Sequence, residues 1–280
     1  MQIQESAQAF EVVDGRLQFV FTTVILLSEG SLYHGRSQMR KPMLVTEVED
    51  IKELDTEAYG PVARPEWTAK DDISCSAAEI KDIRDYATFI KRPSWIQLAR
   101  WLPGEAEASM TAEIQVCEKL RQDPHPNLGQ YQGCIVSPQT GKVSALSFDR
   151  LPMSLAATVN PSGLSKADFA ACGNRADPVT ACRWIRGVRN GLSHLHALGL
   201  VHNDVNPSNV MIDGAEAILV DFDSCCEEGQ ELRQGGKKGG TPGWCDLDVQ
   251  VARIENDWEA VGEMETWLMG EARHFRFHYG

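Results

Sequence analysis

The sequence predicts an α+β fold in which a strand-rich first half is followed by a helix-rich second half. Between residues 73 and 159, short apolar runs alternate with turn residues, which is typical of strands. After Pro161, apolar residues recur at three- and four-residue spacing, which is the period of a helix. A chain of 280 residues is long enough for one large domain or for two lobes that share a core.

The composition is ordinary for a globular chain, with 42% hydrophobic and 24% charged residues. A net charge of −13 repels phosphate backbones, so we expect no nucleic-acid partner. The longest apolar run, Leu17–Leu27, is too short to span a bilayer, and the acidic start of the chain does not resemble a signal peptide. The cysteines contain no CxxC pair and fit reduced thiols. We therefore expect an intracellular protein, cytoplasmic or nuclear and not bound to a membrane, whose oligomeric state stays open.

The first 70 residues are an N-terminal extension whose structure the sequence leaves open. They contain one strand-like run, Leu17–Leu27, and then a charged stretch at 48–67 that we interpret as a linker or extended arm. Two further strands are predicted at Tyr86–Ile90 and Lys142–Phe148, because both are short apolar runs and the second follows a turn that contains glycine.

A helix is predicted from Met110 to Leu120, where apolar residues form one stripe. Glu113 lies inside that stripe. A carboxylate on the buried side of a helix needs a cationic partner, unless it lies at the helix edge and reaches water. The periodicity alone leaves both interpretations open.

Two helices with two short strands between them are predicted in the second half. The first helix begins at Asp177, which is followed by a first-turn proline, and ends at Gly199. The strands at Val210–Ile212 and Ala217–Val220 are joined by an aspartate–glycine turn. The second helix begins near Asp257.

The clearest chemical signal is the segment His202–Asn209 (HNDVNPSN), which is followed by the acidic segment Asp221–Asp223. A carboxylate such as that of Asp204 can accept the proton of an attacking hydroxyl. Asn209 and Asp221 carry oxygens of the kind that Mg²⁺ prefers. The spacing of five residues between Asp204 and Asn209 matches the catalytic loop used in phosphoryl transfer.

The ordered segments HNDVNPSN, VDFDSC and GGTPGW resemble the eukaryotic protein kinase family, and more narrowly a group of small fungal protein-kinase-like proteins. The resemblance runs from Ile73 to Leu268. It implies a two-lobed fold, with a strand-rich N-lobe at 71–151 that holds one key helix and a helical C-lobe at 152–280. The C-lobe is expected to be truncated after the helix at 257–270, because the chain ends 23 residues after Asp257.

The resemblance also implies the roles of individual residues. Lys91 would bind the α- and β-phosphates of ATP, Glu113 would pair with Lys91, and Asp204 would be the catalytic base. The backbone at Asp149–Leu151 would contact adenine. The full implied set consists of the catalytic residues Asp204, Lys91 and Glu113, the ATP-binding residues Lys91, Asp149, Leu151, Ser76, Ile80, Asn209 and Asp221, and the Mg²⁺ ligands Asn209 and Asp221.

Supporting residues follow from the same resemblance. The segment Gly240–Trp244 would receive a protein substrate, and Asp257 would anchor the catalytic loop. An internal spine would consist of Cys117, Tyr131, His202 and Phe222.

Several positions depart from the family pattern. The segment 73–80 has no glycine, although glycines let backbone N–H groups approach phosphates closely. Asn206 replaces a lysine that neutralises the γ-phosphate, Asn203 replaces the catalytic-loop arginine, and Asp223 replaces a glycine. These changes predict weak activity.

The function expected is therefore transfer of the γ-phosphate of ATP to a Ser or Thr hydroxyl of a protein, with Mg²⁺. One alternative is a pseudokinase or scaffold that binds a partner protein with weak or no ATP binding. A less favoured alternative is a small-molecule phosphotransferase of the choline or aminoglycoside kinase type, against which the GTPGW segment argues.

Overall fold

A computed structural model describes residues 1–280 except for 14–15, 55, 57–58, 71–87, 103, 233–239, 247, 271–273 and 278–280. The order of its elements, with sheets in the first half and most of the helical residues in the second, confirms the predicted α+β class. None of the helices in the described part of the chain has both the length and the apolar character that a membrane span requires.

The N-terminal residues form a sheet of their own. Its four antiparallel strands lie in the order β1 (Gln2–Val13), β2 (Arg16–Ser28), β3 (Ser31–Ser37) and β4 (Glu49–Glu53). The run Leu17–Leu27 is thus confirmed as a strand. The stretch 48–67, which the sequence suggested was a linker or extended arm, contains β4. The side chains of β4 are all exposed, so its sequence has no apolar alternation that would have identified a strand.

Strand β2 has a continuous apolar run because both of its faces are covered. Val24 and Leu26 pack with Val48 on one face. Ile25 packs on the other face against helix α1 (Trp95–Arg100), through Ile96. Helix α1 begins at Ser94, whose hydroxyl accepts from the backbone N–H of Gln97 at 3.1 Å. The sheet and α1 therefore form one packed unit that the sequence did not predict.

A second sheet lies next to the main helix of the first half. It contains β5 (Ala69–Lys70), β6 (Thr88–Lys91), β7 (Tyr131–Val136) and β8 (Val143–Asp149), in the order β5-β7-β8-β6. Helix α2 (Glu105–Gln122) confirms and extends the helix predicted over Met110–Leu120. The strand predicted at Tyr86–Ile90 corresponds to β6, with its first two residues outside the described ones. The strand predicted at Lys142–Phe148 is β8.

The second half packs around one long helix. Its elements are β9 (Met153–Ser154), α3 (Leu155–Val159), α4 (Lys166–Ala171), α5 (Pro178–Ala197), β10 (Leu200–Val201), β11 (Val210–Asp213), β12 (Glu216–Leu219), β13 (Cys226–Glu227) and α6 (Ile254–Leu268). The predicted start of α5 is confirmed, because Asp177 accepts from the N–H of Thr180 at 2.9 Å. Hairpin β11–β12 is confirmed as well. The core of α5, α6 and the hairpin is continuous with the core between α2 and the second sheet.

The contact of α5 with the turn at Asn127 depends on a glycine. A Cβ at Gly191 would lie 2.7 Å from the Asn127 carbonyl oxygen, so either the helix or the turn would have to move. Gly191→Ala is expected to lower the free energy of unfolding by about 1–3 kcal/mol, measured by denaturant unfolding. Gly262→Ala is the matched control, because nothing lies within 4 Å of a Cβ on that exposed face of α6. The control should be neutral or stabilising, and equal losses in both variants would contradict the close packing.

Candidate active site

A cavity of about 410 Å³ lies between the second sheet and the segment that contains residues 202–223. Phe89, Met211 and Val220 give it apolar walls, whereas Lys91, Asn209 and Asp221 line it with polar groups. Asp149 and Leu151, to which the resemblance assigns contacts with adenine, also line it. Ser76 and Ile80, the other two residues predicted to bind ATP, lie outside the described residues. The cavity thus suits a ligand with an apolar body and a polar end.

Lys91, at the end of β6, is the cation at the centre of the site. Its Nζ lies 2.5 Å from Oε1 of Glu113 and also donates to Oδ1 of Asp221. Oδ2 of Asp223 is 3.9 Å from the same nitrogen. Of the two interpretations of Glu113, the structure therefore favours the buried, cation-paired one, because only 6% of this residue is exposed.

Three carboxylates surround Lys91. Burial by itself lowers the pKa of the Lys91 ammonium, but the three surrounding carboxylates outweigh that effect and raise the pKa above its ordinary value. Burial raises the pKa of Glu113, and Lys91 opposes this. Among the described residues, the Lys91 ammonium thus lies within 4.0 Å of three carboxylates, whose oxygens are of the kind that a divalent cation prefers.

The donor chemistry of this cluster fits a hard divalent cation. Asp221 offers carboxylate oxygens, and Asn209 donates to Asp204 through its amide nitrogen, which leaves its amide oxygen available as a ligand. Among the residues that the structure describes, no three His, Cys, Asp or Glu side chains are grouped so that they could hold a metal ion by themselves. A cation here would therefore need ligands beyond the protein, as Mg²⁺ usually does when it binds with phosphate oxygens and water.

Asp204 is held in one orientation by donors on both of its carboxylate oxygens. Oδ1 accepts from the backbone N–H of Thr241 at 2.7 Å and from the side-chain amide of Asn206 at 3.0 Å. Oδ2 accepts from the amide of Asn209 at 3.1 Å. A carboxylate fixed by three donors is suited to accept a proton from a group at a defined position.

Asn206 has a role that the sequence did not reveal, since there it appeared only as the loss of a lysine. Its amide nitrogen donates to Asp204 and also to the hydroxyl of Thr241, at 3.1 Å. It thereby joins the HNDVNPSN loop to the GTPGW segment. The sequence showed that both motifs are present. It did not show that they contact each other, because neither motif by itself specifies its partner.

The loop before Asp204 is fixed by Asp257 on α6, which is 1% exposed. Its carboxylate accepts from the backbone N–H groups of His202 and Asn203, both at 2.8 Å, and from His196 Nε2 at 2.7 Å. Asn203 and Asp221 adopt left-handed backbone conformations, with φ of 62° and 69°. Asn and Asp tolerate this region better than most residues, and strained backbone of this kind often occurs at functional sites.

The spine residues implied by the resemblance are all buried. His202 and Phe222 are in edge contact, with ring centroids 5.8 Å apart. Cys117, Tyr131 and Phe222 belong to the one core that joins the two halves. The position of Phe222 therefore links the acidic segment to α2, which carries Glu113.

A second anchor holds the GTPGW segment, and the sequence did not indicate it. Lys166 Nζ donates to the carbonyl of Gly243 at 2.7 Å and pairs with Glu263 of α6. Glu263 is 3% exposed, so this lysine compensates a buried carboxylate.

Comparisons with known proteins agree with this geometry. A family model described as "Protein kinase domain" matches residues 100–245, just over half of the chain, and this range includes Glu113, Asp204 and Asp221. The chain is 28% identical over 131 residues to the serine/threonine-protein kinase/endoribonuclease IRE1 of Hypocrea jecorina. The matched region covers 44% of this chain and 10% of that protein.

Two further relatives are animal proteins. The chain is 28% identical over 155 residues to the serine/threonine-protein kinase Tao of Drosophila melanogaster, covering 54% of this chain and 13% of the relative. It is 26% identical over 159 residues to the human serine/threonine-protein kinase TAO2, covering 56% of this chain and 11% of the relative. The chain thus spans only a small part of the length of these relatives.

Proposed function

Since this chain belongs to the protein kinase domain family, we propose that it binds ATP with Mg²⁺ in the cavity around Lys91 and transfers the γ-phosphate to a Ser or Thr hydroxyl of a protein. The observation that carries the proposal is the pairing of Lys91 with Glu113 and Asp221, because Lys91 and Asp221 line the cavity together with Asn209, the partner of Asp204.

The cavity supports ATP binding through its two contrasting parts. The apolar walls at Phe89, Met211 and Val220 would pack against the adenine ring, and the backbone at 149–151 would provide its hydrogen bonds. At the polar part, Lys91 would exchange a carboxylate contact for the phosphates. Asn209 and Asp221 would hold Mg²⁺, which when bound neutralises charge on the phosphates.

Asp204 would act on the protein substrate. Its carboxylate would accept the proton of the substrate hydroxyl as that oxygen bonds to the γ-phosphorus and the bond to the β-phosphate oxygen breaks. Thr241 of GTPGW and Asn206 of the loop both donate to this carboxylate, so a substrate segment lying along GTPGW would present its hydroxyl to an oriented base. Because Asn206 carries no charge, the γ-phosphate lacks one stabilising cation, and we expect slow turnover.

A thermal-shift titration with ATP, with and without Mg²⁺, tests the nucleotide site. A ligand that binds only the folded state raises Tm, and it contributes about 2.7 kcal/mol at one hundred times its Kd. The wild type should show a Mg²⁺-dependent rise that is lost in Asp221→Asn. The matched control is Asp213→Asn, at the exposed end of β11, which should keep the full shift. No shift at millimolar ATP would contradict the proposed site.

One observation favours a second candidate, a scaffold with weak or no nucleotide binding. Lys91 already contacts Asp221 and lies 3.9 Å from Asp223, so phosphates must compete with these carboxylates for it. Under this alternative the protein would work through contacts with a partner protein. The same titration separates the two functions, because a scaffold of this kind would show no Mg²⁺-dependent shift.

A further inference from the structure

A second cavity, of about 630 Å³, lies outside the candidate active site, between the N-terminal sheet, α1 and the GTPGW segment. Side chains from all four strands line it, together with Arg100 of α1 and Pro242. Pro242 follows Thr241, whose N–H donates to Asp204. We call this cavity the basic groove and define it by Arg36, Lys52, Arg100 and Pro242. Through Pro242, the groove begins one residue away from Thr241, which contacts the proposed catalytic base directly.

The groove is positively charged although the chain as a whole carries −13. Arg36, Lys52 and Arg100 line it, against the single carboxylate of Asp50. Among the described residues, none of these three cations forms an ion pair within 4.0 Å. His34 lies in the same wall of the groove. Burial is the largest cause that lowers the pKa of His34, and the charges of Lys52 and then Arg36 lower it further, which agrees with a positive local field.

Two of the cations are already held in place. Arg100 donates through Nε to the hydroxyl of Thr23 at 2.9 Å and through Nη2 to the carbonyl of Ala7 at 2.7 Å. The guanidinium of Arg36 lies 4.5 Å from the centre of the Phe21 ring. Fixed guanidinium groups lose less conformational entropy when an anion binds, and they match carboxylate or phosphate oxygens.

From these observations we infer that the basic groove binds an acidic segment of the protein substrate, so that a neighbouring Ser or Thr reaches Asp204 along GTPGW. This inference rests on the proposed function. An extended chain advances by about 3.3 Å per residue, so acidic residues only a few positions from the acceptor reach the groove. The net charge of −13 would repel a long polyanion, whereas a short acidic segment would lie within the local field of the groove.

Peptide binding without nucleotide tests the inference. Fluorescence anisotropy compares two labelled peptides that differ only in carrying Glu or Gln beside a central serine. The double variant Arg36→Gln/Lys52→Gln should weaken binding of the Glu peptide by about tenfold or more and leave the Gln peptide unchanged. The matched control is Arg121→Gln/Arg186→Gln, which removes the same charge from exposed positions outside the groove and should bind like the wild type. Equal Tm values would show that both double variants are folded.

Several outcomes would overturn the inference. Equal affinity for the two peptides, or an equal loss in the two double variants, would mean that the groove does not recognise the acidic residues. So would tighter, variant-sensitive binding of polyuridylate RNA than of the Glu peptide. Because nucleotide is absent, this assay does not depend on phosphoryl transfer. Specific peptide binding in a protein that shows no ATP-dependent shift would support the groove while contradicting the proposed enzymatic function.

Discussion

Replacement of Asp204 by Asn is expected to lower kcat for phosphorylation of a protein substrate by about 10²- to 10⁴-fold, because an amide cannot accept the proton of the substrate hydroxyl. The change is nearly isosteric. The amide oxygen of the variant can keep the contacts of Oδ1 with Thr241 and Asn206. The new NH₂ group would face the amide nitrogen of Asn209, which now donates to Oδ2, and this local mismatch should leave the fold intact.

The measurement is phosphate transfer from labelled ATP at saturating Mg²⁺-ATP, so that binding does not limit the rate. The ATP-dependent rise in Tm should persist in Asp204→Asn, because Asp204 is not among the residues that line the nucleotide cavity. Asp213→Asn again serves as the control and should transfer phosphate at the wild-type rate. Unchanged transfer in Asp204→Asn would exclude Asp204 as the catalytic base.

Lys91→Met should have the second large effect, and it should be visible in two independent properties. The variant loses the cation that would bind phosphates, so the ATP-dependent rise in Tm should disappear. It also leaves the buried Glu113 without its partner, beside the carboxylates of Asp221 and Asp223. Breaking a buried pair in this way is expected to cost about 3 kcal/mol of unfolding free energy.

A double variant separates these two effects of Lys91. Lys91→Met/Glu113→Leu removes both buried charges, so most of the lost stability should return, whereas ATP binding should not. Lys70→Met, exposed on β5 at the opposite edge of the same sheet, is the control for loss of a lysine and should change neither property. If Lys91→Met kept both its stability and its ATP response, the assignment of Lys91 would be wrong.

Much of the fold was accessible from the sequence because its signals are local. The cap at Asp177 and the apolar stripe of α2 specify helices through interactions within a few residues. The aspartate–glycine turn specifies the β11–β12 hairpin in the same way. The residue types and spacing of HNDVNPSN were likewise enough to indicate phosphoryl-transfer chemistry, since this loop holds Asp204 and Asn209 within one short segment.

The N-terminal sheet was only partly predictable. Strand β2 was visible as an apolar run, but β4 has only exposed side chains and β1 and β3 have few fully buried ones, so they lack a clear alternating pattern. Their pairing depends on backbone hydrogen bonds, which every residue except proline can donate, so the residue types reveal little of it. The basic groove follows from that pairing, because it brings Arg36 and Lys52 onto one wall opposite Arg100.

The sequence by itself thus determined the class of the fold, the three longest of the described helices (α2, α5 and α6) and the types of residue that carry the proposed chemistry. Only the tertiary structure decided that Lys91 contacts Asp221, 130 positions away, and that Asn206 joins Asp204 to Thr241. It alone showed that Lys166 supports the GTPGW segment. The physical reason is that a buried charge requires a partner but does not specify which one. The choice is made when distant segments pack into one core and bring particular side chains within hydrogen-bonding distance.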